Sequence, residues 1–139
     1  MSRTVRIISF ILSLICLAAI IYLSLAKDVF VPQYIMGEDK GAHFLAYMAL
    51  GFLFFMCFHN SVHHRIIVSN LMPVLGATSL AFLCGYVIEL CQPYFGRYFE
   101  PGDLIADGTG SLSGAVIGLI CVFLMCWIER RRRHRYSIR

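Results

Sequence analysis

Charge is scarce in this chain. Of its 139 residues only 14% are Asp, Glu, Lys or Arg, while 59% are hydrophobic. Soluble domains carry roughly a quarter charged residues and about half apolar. The deficit excludes a water-soluble domain, because too little polar surface remains to cover one. Strand-sized alternation of apolar and polar residues is also missing, which excludes a β-barrel. The six cysteines (Cys16, Cys57, Cys84, Cys91, Cys121 and Cys126) form no CxxC pair and all lie in apolar segments. Neither a disulfide framework nor a zinc site is indicated. No Gly-rich phosphate loop, Gly-x-Ser-x-Gly elbow or His-Glu-x-x-His motif occurs. His59, His63 and His64 cluster without cysteine or acidic neighbours and read as a solvated loop. No cofactor and no metal are therefore expected.

What remains is apolar and comes in long runs. Four nearly uncharged stretches cover about residues 5–25, 41–59, 71–92 and 104–128, and a basic tail spans 129–139. About 20 apolar residues cross the hydrocarbon core of a bilayer as a helix, and helices satisfy their own backbone polar groups there. The fold class expected is all-α, a four-helix transmembrane bundle forming one domain over 1–139. Arg3 and Arg6 before the first run, with Ser24-Leu25-Ala26 after it, have the outline of a signal peptide. The apolar run of about 19 residues is longer than the usual 7–15 of a signal h-region, so an uncleaved helix is expected.

The charges that exist are sorted. Arg3, Arg6, Arg65, Arg130, Arg131, Arg132, Arg133, Arg135 and Arg139 fall on one side of the spans, with Glu129 as their only acid. The other side holds Lys27, Lys40 and Arg97 among Asp28, Glu38, Asp39, Glu89, Glu100, Asp103 and Asp107. Positive residues mark the cytoplasmic side of short loops. Both termini are therefore expected in the cytoplasm, and the acidic end outside. The net charge of +4 is a topology signal and not a nucleic-acid one.

Polar residues recur on three helices at that outer end. Asp39, His43 and Tyr47 are four apart, with Lys40 beside them, and such spacing stacks side chains on one helix face. Glu89 and Gln92 are three apart, and Gly85 and Thr78 continue their face inward. Asp103 and Asp107 are four apart, and Gly110, Gly114 and Gly118 extend their stripe. Small residues at that spacing allow close helix approach. Pro93 and Pro101-Gly102 bracket a short outer loop carrying Arg97, and Asp103 falls where an N-cap is expected. Charges at membrane depth are costly, so the expectation is that Glu89, Asp103 and Asp107 pair with Arg97, Lys40 and His43.

These residues resemble the pattern of the VanZ-like family of small bacterial membrane proteins. Its Asp-Lys pair, His and Tyr correspond to Asp39, Lys40, His43 and Tyr47. Its Glu-x-x-Gln, Arg, Asp and spaced glycines correspond to Glu89, Gln92, Arg97, Asp103, Gly110 and Gly114. Asp107 stands where the family usually has Asn. The resemblance implies a protein of the cell envelope in the bacterial plasma membrane. The family's founding member is associated with low-level resistance to teicoplanin.

Three functions stay open at this level. In the first, the outer cluster Asp39, Lys40, His43, Tyr47, Glu89, Gln92, Arg97, Asp103 and Asp107 binds an anionic membrane lipid or lipid-linked envelope precursor, held by Arg97 and Lys40. In the second, Asp103-x-x-x-Asp107 chelates Mg²⁺ in a lipid-phosphate enzyme, with Glu89 or His43 as general base. In the third, the cluster is structural and the protein works through partners, with the glycine face available for a homo-oligomer.

Overall fold

The computed structural model describes residues 3–26, 39–59 and 67–136, and side chains within these except at 39, 67–69 and 134–136. Expectations placed on Lys27, Asp28, Glu38, His63, His64, Arg65 and Arg139 lie outside the described residues.

Four long helices make up the described chain: α1 (Arg3–Leu25), α2 (Asp39–Phe58), α3 (Ile67–Cys91) and α4 (Pro101–Tyr136), with a 3₁₀ turn at Gln92–Phe95. No strand occurs among the described residues. Each helix contains a stretch long and apolar enough to cross a bilayer. The surface says the same. Ile7, Phe10, Ile11 and Ile15 on α1, and Phe123, Leu124, Met125 and Trp127 on α4, are about half or more exposed. Apolar patches of that extent are not tolerated against water and are normal against lipid. Small polar residues turn inward instead: Ser9, Ser13 and Ser24 of α1 are buried.

α2 is the hub, touching all three other helices, while α1 and α4 do not meet among the described residues. Its inward face reads Tyr47, Leu50, Gly51, Phe54 and Phe55, the three-and-four spacing of a helix stripe. Against it lies α4, and there the glycines set the separation. A Cβ on Gly110 would collide with the Phe44 carbonyl oxygen, and one on Gly114 with that of Met48. From the other side, a Cβ on Gly51 would collide with the Ser111 carbonyl. Backbone thus meets backbone along more than two turns, which only residues without side chains permit. The glycine face expected to be free for dimer formation is used within one chain.

Two features depart from the sequence expectation. The region after residue 128 is not a separate tail, because α4 continues without a break to Tyr136. Arginine favours helix, basic side chains suit a helix C-terminus, and no Gly or Pro intervenes. At 1.5 Å per residue the 36 residues of α4 extend about 54 Å, against a hydrocarbon core of about 30 Å. Its arginine-rich end therefore stands in the aqueous phase, and the Arg131 guanidinium lies 3.9 Å from the Trp127 ring centroid. The second departure is His59, expected in a solvated loop. It is 2% exposed, stacked on Phe55 at 5.3 Å, and burial pushes its imidazole below the usual histidine range.

Glycine positions separate into those that set helix spacing and those that do not. Gly114→Ala should lower stability in detergent by about 1–3 kcal/mol, the usual cost of overpacking. Gly108→Ala, whose new Cβ would come 3.3 Å from the edge of the half-exposed Phe82 ring, should cost well under half as much. Thermal unfolding of the two purified variants checks this, and equal losses would mean that α2–α4 contact does not set the packing.

Candidate functional site

The polar residues of α2, α3 and α4 meet at the end of the bundle where α4 begins. His43 projects from the first turns of α2 toward α4, and its Nδ1 lies 2.9 Å from Asp107 Oδ1. The other ring nitrogen, Nε2, lies 3.9 Å from Asp103 Oδ2. The two α4 carboxylates therefore flank different nitrogens of one imidazole.

Asp103 does not cap α4. The helix starts at Pro101, a position where the missing N–H costs nothing, so Asp103 lies within the first turn. Its backbone N–H donates to the Glu100 carbonyl at 3.0 Å, and its side chain is 3% exposed. Asp107, one turn on, is fully buried at 0%. Room for it comes from Gly85 of α3, where a Cβ would overlap Asp107 Oδ2 and come 3.1 Å from the Tyr47 ring. Gly85 precedes Glu89 by one turn on the same face, and that spacing was its only signal in the sequence.

Glu89 is 1% exposed and held at both oxygens. Gln92 Nε2 donates to Oε1 at 2.6 Å, and the Glu100 backbone N–H donates to Oε2 at 3.3 Å. The Glu100 contact has no sequence signature, since it is a main-chain group brought in by the loop between α3 and α4. That loop turns at Gly96, whose φ of 77° is in the left-handed region and natural for glycine. The turn is closed by Gly96 N–H to Pro93 O at 3.2 Å and Arg97 N–H to Gln92 O at 3.1 Å.

Arg97 then reaches the end of α1. One terminal nitrogen donates to the Leu23 carbonyl at 3.3 Å and to the Ser24 carbonyl at 3.2 Å. Carbonyls of a last helical turn have no partner within the helix, and a guanidinium there also complements the helix dipole. Lys40 is exposed at the rim. Its stem lies over Gly102, where a Cβ would come 2.7 Å from Lys40 Cε and 3.1 Å from Nζ. Tyr47, one turn below His43 with the rings near parallel at 16° and 6.3 Å between centroids, is 1% exposed. The Tyr47 hydroxyl and Asp107 Oδ2 are both buried without a hydrogen-bond partner. Asp39 opens α2, and its side chain lies outside the described residues.

A family model described as VanZ/LLP1 matches residues 8–125. The chain belongs to the VanZ/LLP1 family. No curated protein and no solved structure matches it. The VanZ/LLP1 match runs from α1 into α4 and so contains every polar residue described above. Within it the site is acidic: Glu89, Asp103 and Asp107 are buried around one histidine, while Lys40 stays at the rim. The metal pair weighed from the sequence was Asp103 with Asp107, whereas the ligand atoms that lie within 4.8 Å of one another are those of His43, Glu89 and Asp103.

The His43–Asp107 bond predicts a clear split between two substitutions. Asp107→Asn keeps an oxygen acceptor for Nδ1–H in the same shape and should shift stability by less than about 1 kcal/mol. Asp107→Leu, similar in size but with no acceptor, should cost about 1–3 kcal/mol, the penalty for stranding a buried donor. Detergent-solubilised thermal denaturation of both variants measures it, and a stable Asp107→Leu would show that the bond contributes nothing.

Proposed function

We propose that this VanZ/LLP1 protein sits in the bacterial plasma membrane with both ends in the cytoplasm. Its acidic end then receives the headgroup of an outer-leaflet lipid or lipid-linked envelope precursor. The observation that carries the reading is the burial of Glu89, Gln92, Asp103 and Asp107 with His43 at one end of a bundle whose outside is apolar. Ionisable groups at membrane depth are costly and usually serve a site. The depth of this one is indicated by Tyr94 and Tyr98, 87% and 86% exposed on the adjoining loop. Tyrosine is enriched at the headgroup level of membranes, which supports a position of the cluster near the lipid headgroups.

The orientation rests on the nine-to-three division of the twelve Lys and Arg residues. In this arrangement Lys40 meets the headgroup as a mobile point charge. Arg97 anchors the loop to α1 and contributes charge from its place beside the rim. The teicoplanin link of the family's founding member makes glycopeptide susceptibility the phenotype to score. A second reading, a structural clamp, is favoured by the His43–Asp107 and Arg97–carbonyl bonds, because each joins two helices.

Two measurements separate these readings. Native mass spectrometry of the purified protein should show a retained phospholipid, with retention several-fold lower for Lys40→Ala. Glu89→Gln and Arg97→Gln should accumulate, unfold within a few degrees of wild type, and lose the envelope-antibiotic phenotype. Wild-type protein that retains no lipid would sink the headgroup reading. Variants that unfold or fail to accumulate would make the cluster a clamp.

A further inference from the structure

An acidic pocket is a poor receptor for a phosphate unless a cation stands between them. We propose that His43, Glu89 and Asp103 bind one divalent metal ion, with Asp107 orienting His43 from behind. The inference rests on the headgroup reading and supplies that site with its means of holding an anionic, phosphate-bearing ligand, since a bound ion inverts the local charge.

Geometry comes first. The three ligand atoms come from three different helices or helix starts and lie within 4.8 Å of one another, with His43 Nε2 and Asp103 Oδ2 at 3.9 Å. Atoms bound at about 2.1 Å in a tetrahedral or octahedral shell stand about 3.0–3.4 Å apart, so loading closes the widest separation by up to roughly 1.5–2 Å.

The surroundings are those of a metal site. Histidine ligands are commonly fixed by a carboxylate on the opposite ring nitrogen, which sets the tautomer and aims the free lone pair. Asp107 Oδ1, 2.9 Å from Nδ1, has that relation to His43, leaving Nε2 on the side of Glu89 and Asp103. Glu89 is likewise held by Gln92 and by the Glu100 N–H. A separate observation points to a polar occupant. The Tyr47 hydroxyl, 1% exposed and one turn below His43, has no hydrogen-bond partner, and neither does Asp107 Oδ2. One imidazole with two carboxylates and no thiolate suits Mn²⁺ or Zn²⁺.

The test uses the tag-free full chain in detergent without added lipid, titrated with Mn²⁺ and followed by electron paramagnetic resonance of the free ion. One saturable site is expected, with a single directly bonded imidazole nitrogen in the spin-echo modulation of bound Mn²⁺, and Zn²⁺ should displace it. Affinity should fall at least tenfold in Glu89→Gln and Asp103→Asn, and about tenfold in Asp107→Asn, the usual cost of losing an outer partner. The wild-type spectrum decides even where a variant fails to fold. No saturable site, no imidazole signal, or equal affinity in folded Glu89→Gln and Asp103→Asn overturns the ion. Phospholipid retention with and without EDTA separates this inference from the headgroup reading. Retention indifferent to EDTA with no Mn²⁺ site overturns the ion and leaves the headgroup. A Mn²⁺ site with no lipid retained in either condition upholds the ion and removes the headgroup.

Discussion

The approach of α2 to α4, backbone against backbone, is the contact on which the rest of this molecule depends. Gly51 on one helix and Gly110 and Gly114 on the other leave carbonyl oxygens where side chains would otherwise stand. In lipid, apolar side chains gain little by leaving the solvent, so helices associate through packing and polar contact. Close backbone contact maximises the first. It also brings the start of α2 beside the start of α4, which is how His43 comes within hydrogen-bonding distance of Asp107. Were the helices held apart by methyl groups, the pair would separate, and Asp107 would be a buried carboxylate without its donor.

The interior departs from the soluble rule by mixing polar side chains into an apolar core that includes Leu50, Phe54, Phe55 and Ala81. Leu, Ile and Phe cover the outside, while Ser13, Ser111, Asp107, Glu89 and Gln92 lie inside. Such an interior is stable only if its polar groups find each other, and most of them do: Glu89 uses both oxygens, and Arg97 supplies the last carbonyls of α1. The exceptions fall in more than one place, and both ring nitrogens of His59 and the Thr78 hydroxyl are among them. The Tyr47 hydroxyl and Asp107 Oδ2 lie on the floor of the acidic cluster. Buried polar groups without partners are costly, and two of them lie within this cluster.

Arg97 illustrates how a site and its scaffold share residues. Its loop depends on a left-handed turn at Gly96 and on the prolines to either side, and its guanidinium fastens α1 to the C-terminal end of α3. The same loop delivers the Glu100 N–H to Glu89. A change at Arg97 therefore reaches the carboxylate by way of the main chain, even though the side chain itself serves α1.

The sequence by itself determined the class of this protein, because each of its signals is local. Four apolar runs of membrane length, the sorting of basic residues and the four-residue spacing of polar side chains are all readable along the chain. The VanZ-like pattern from Glu38 to Gly118 was legible for the same reason. Partner choice was not legible, because it depends on how helices distant in sequence are rotated and set against each other. Asp103 reads as a cap from its position after Pro101-Gly102, but α4 begins at the proline and turns that carboxylate inward. The glycine stripe reads equally well as a dimer face, and only the seating of α2 against it decided otherwise. His43, Glu89 and Asp103 carry no metal spacing, since 64 residues separate His43 from the Asp107 that orients it. Tertiary packing alone brings them within reach of one ion.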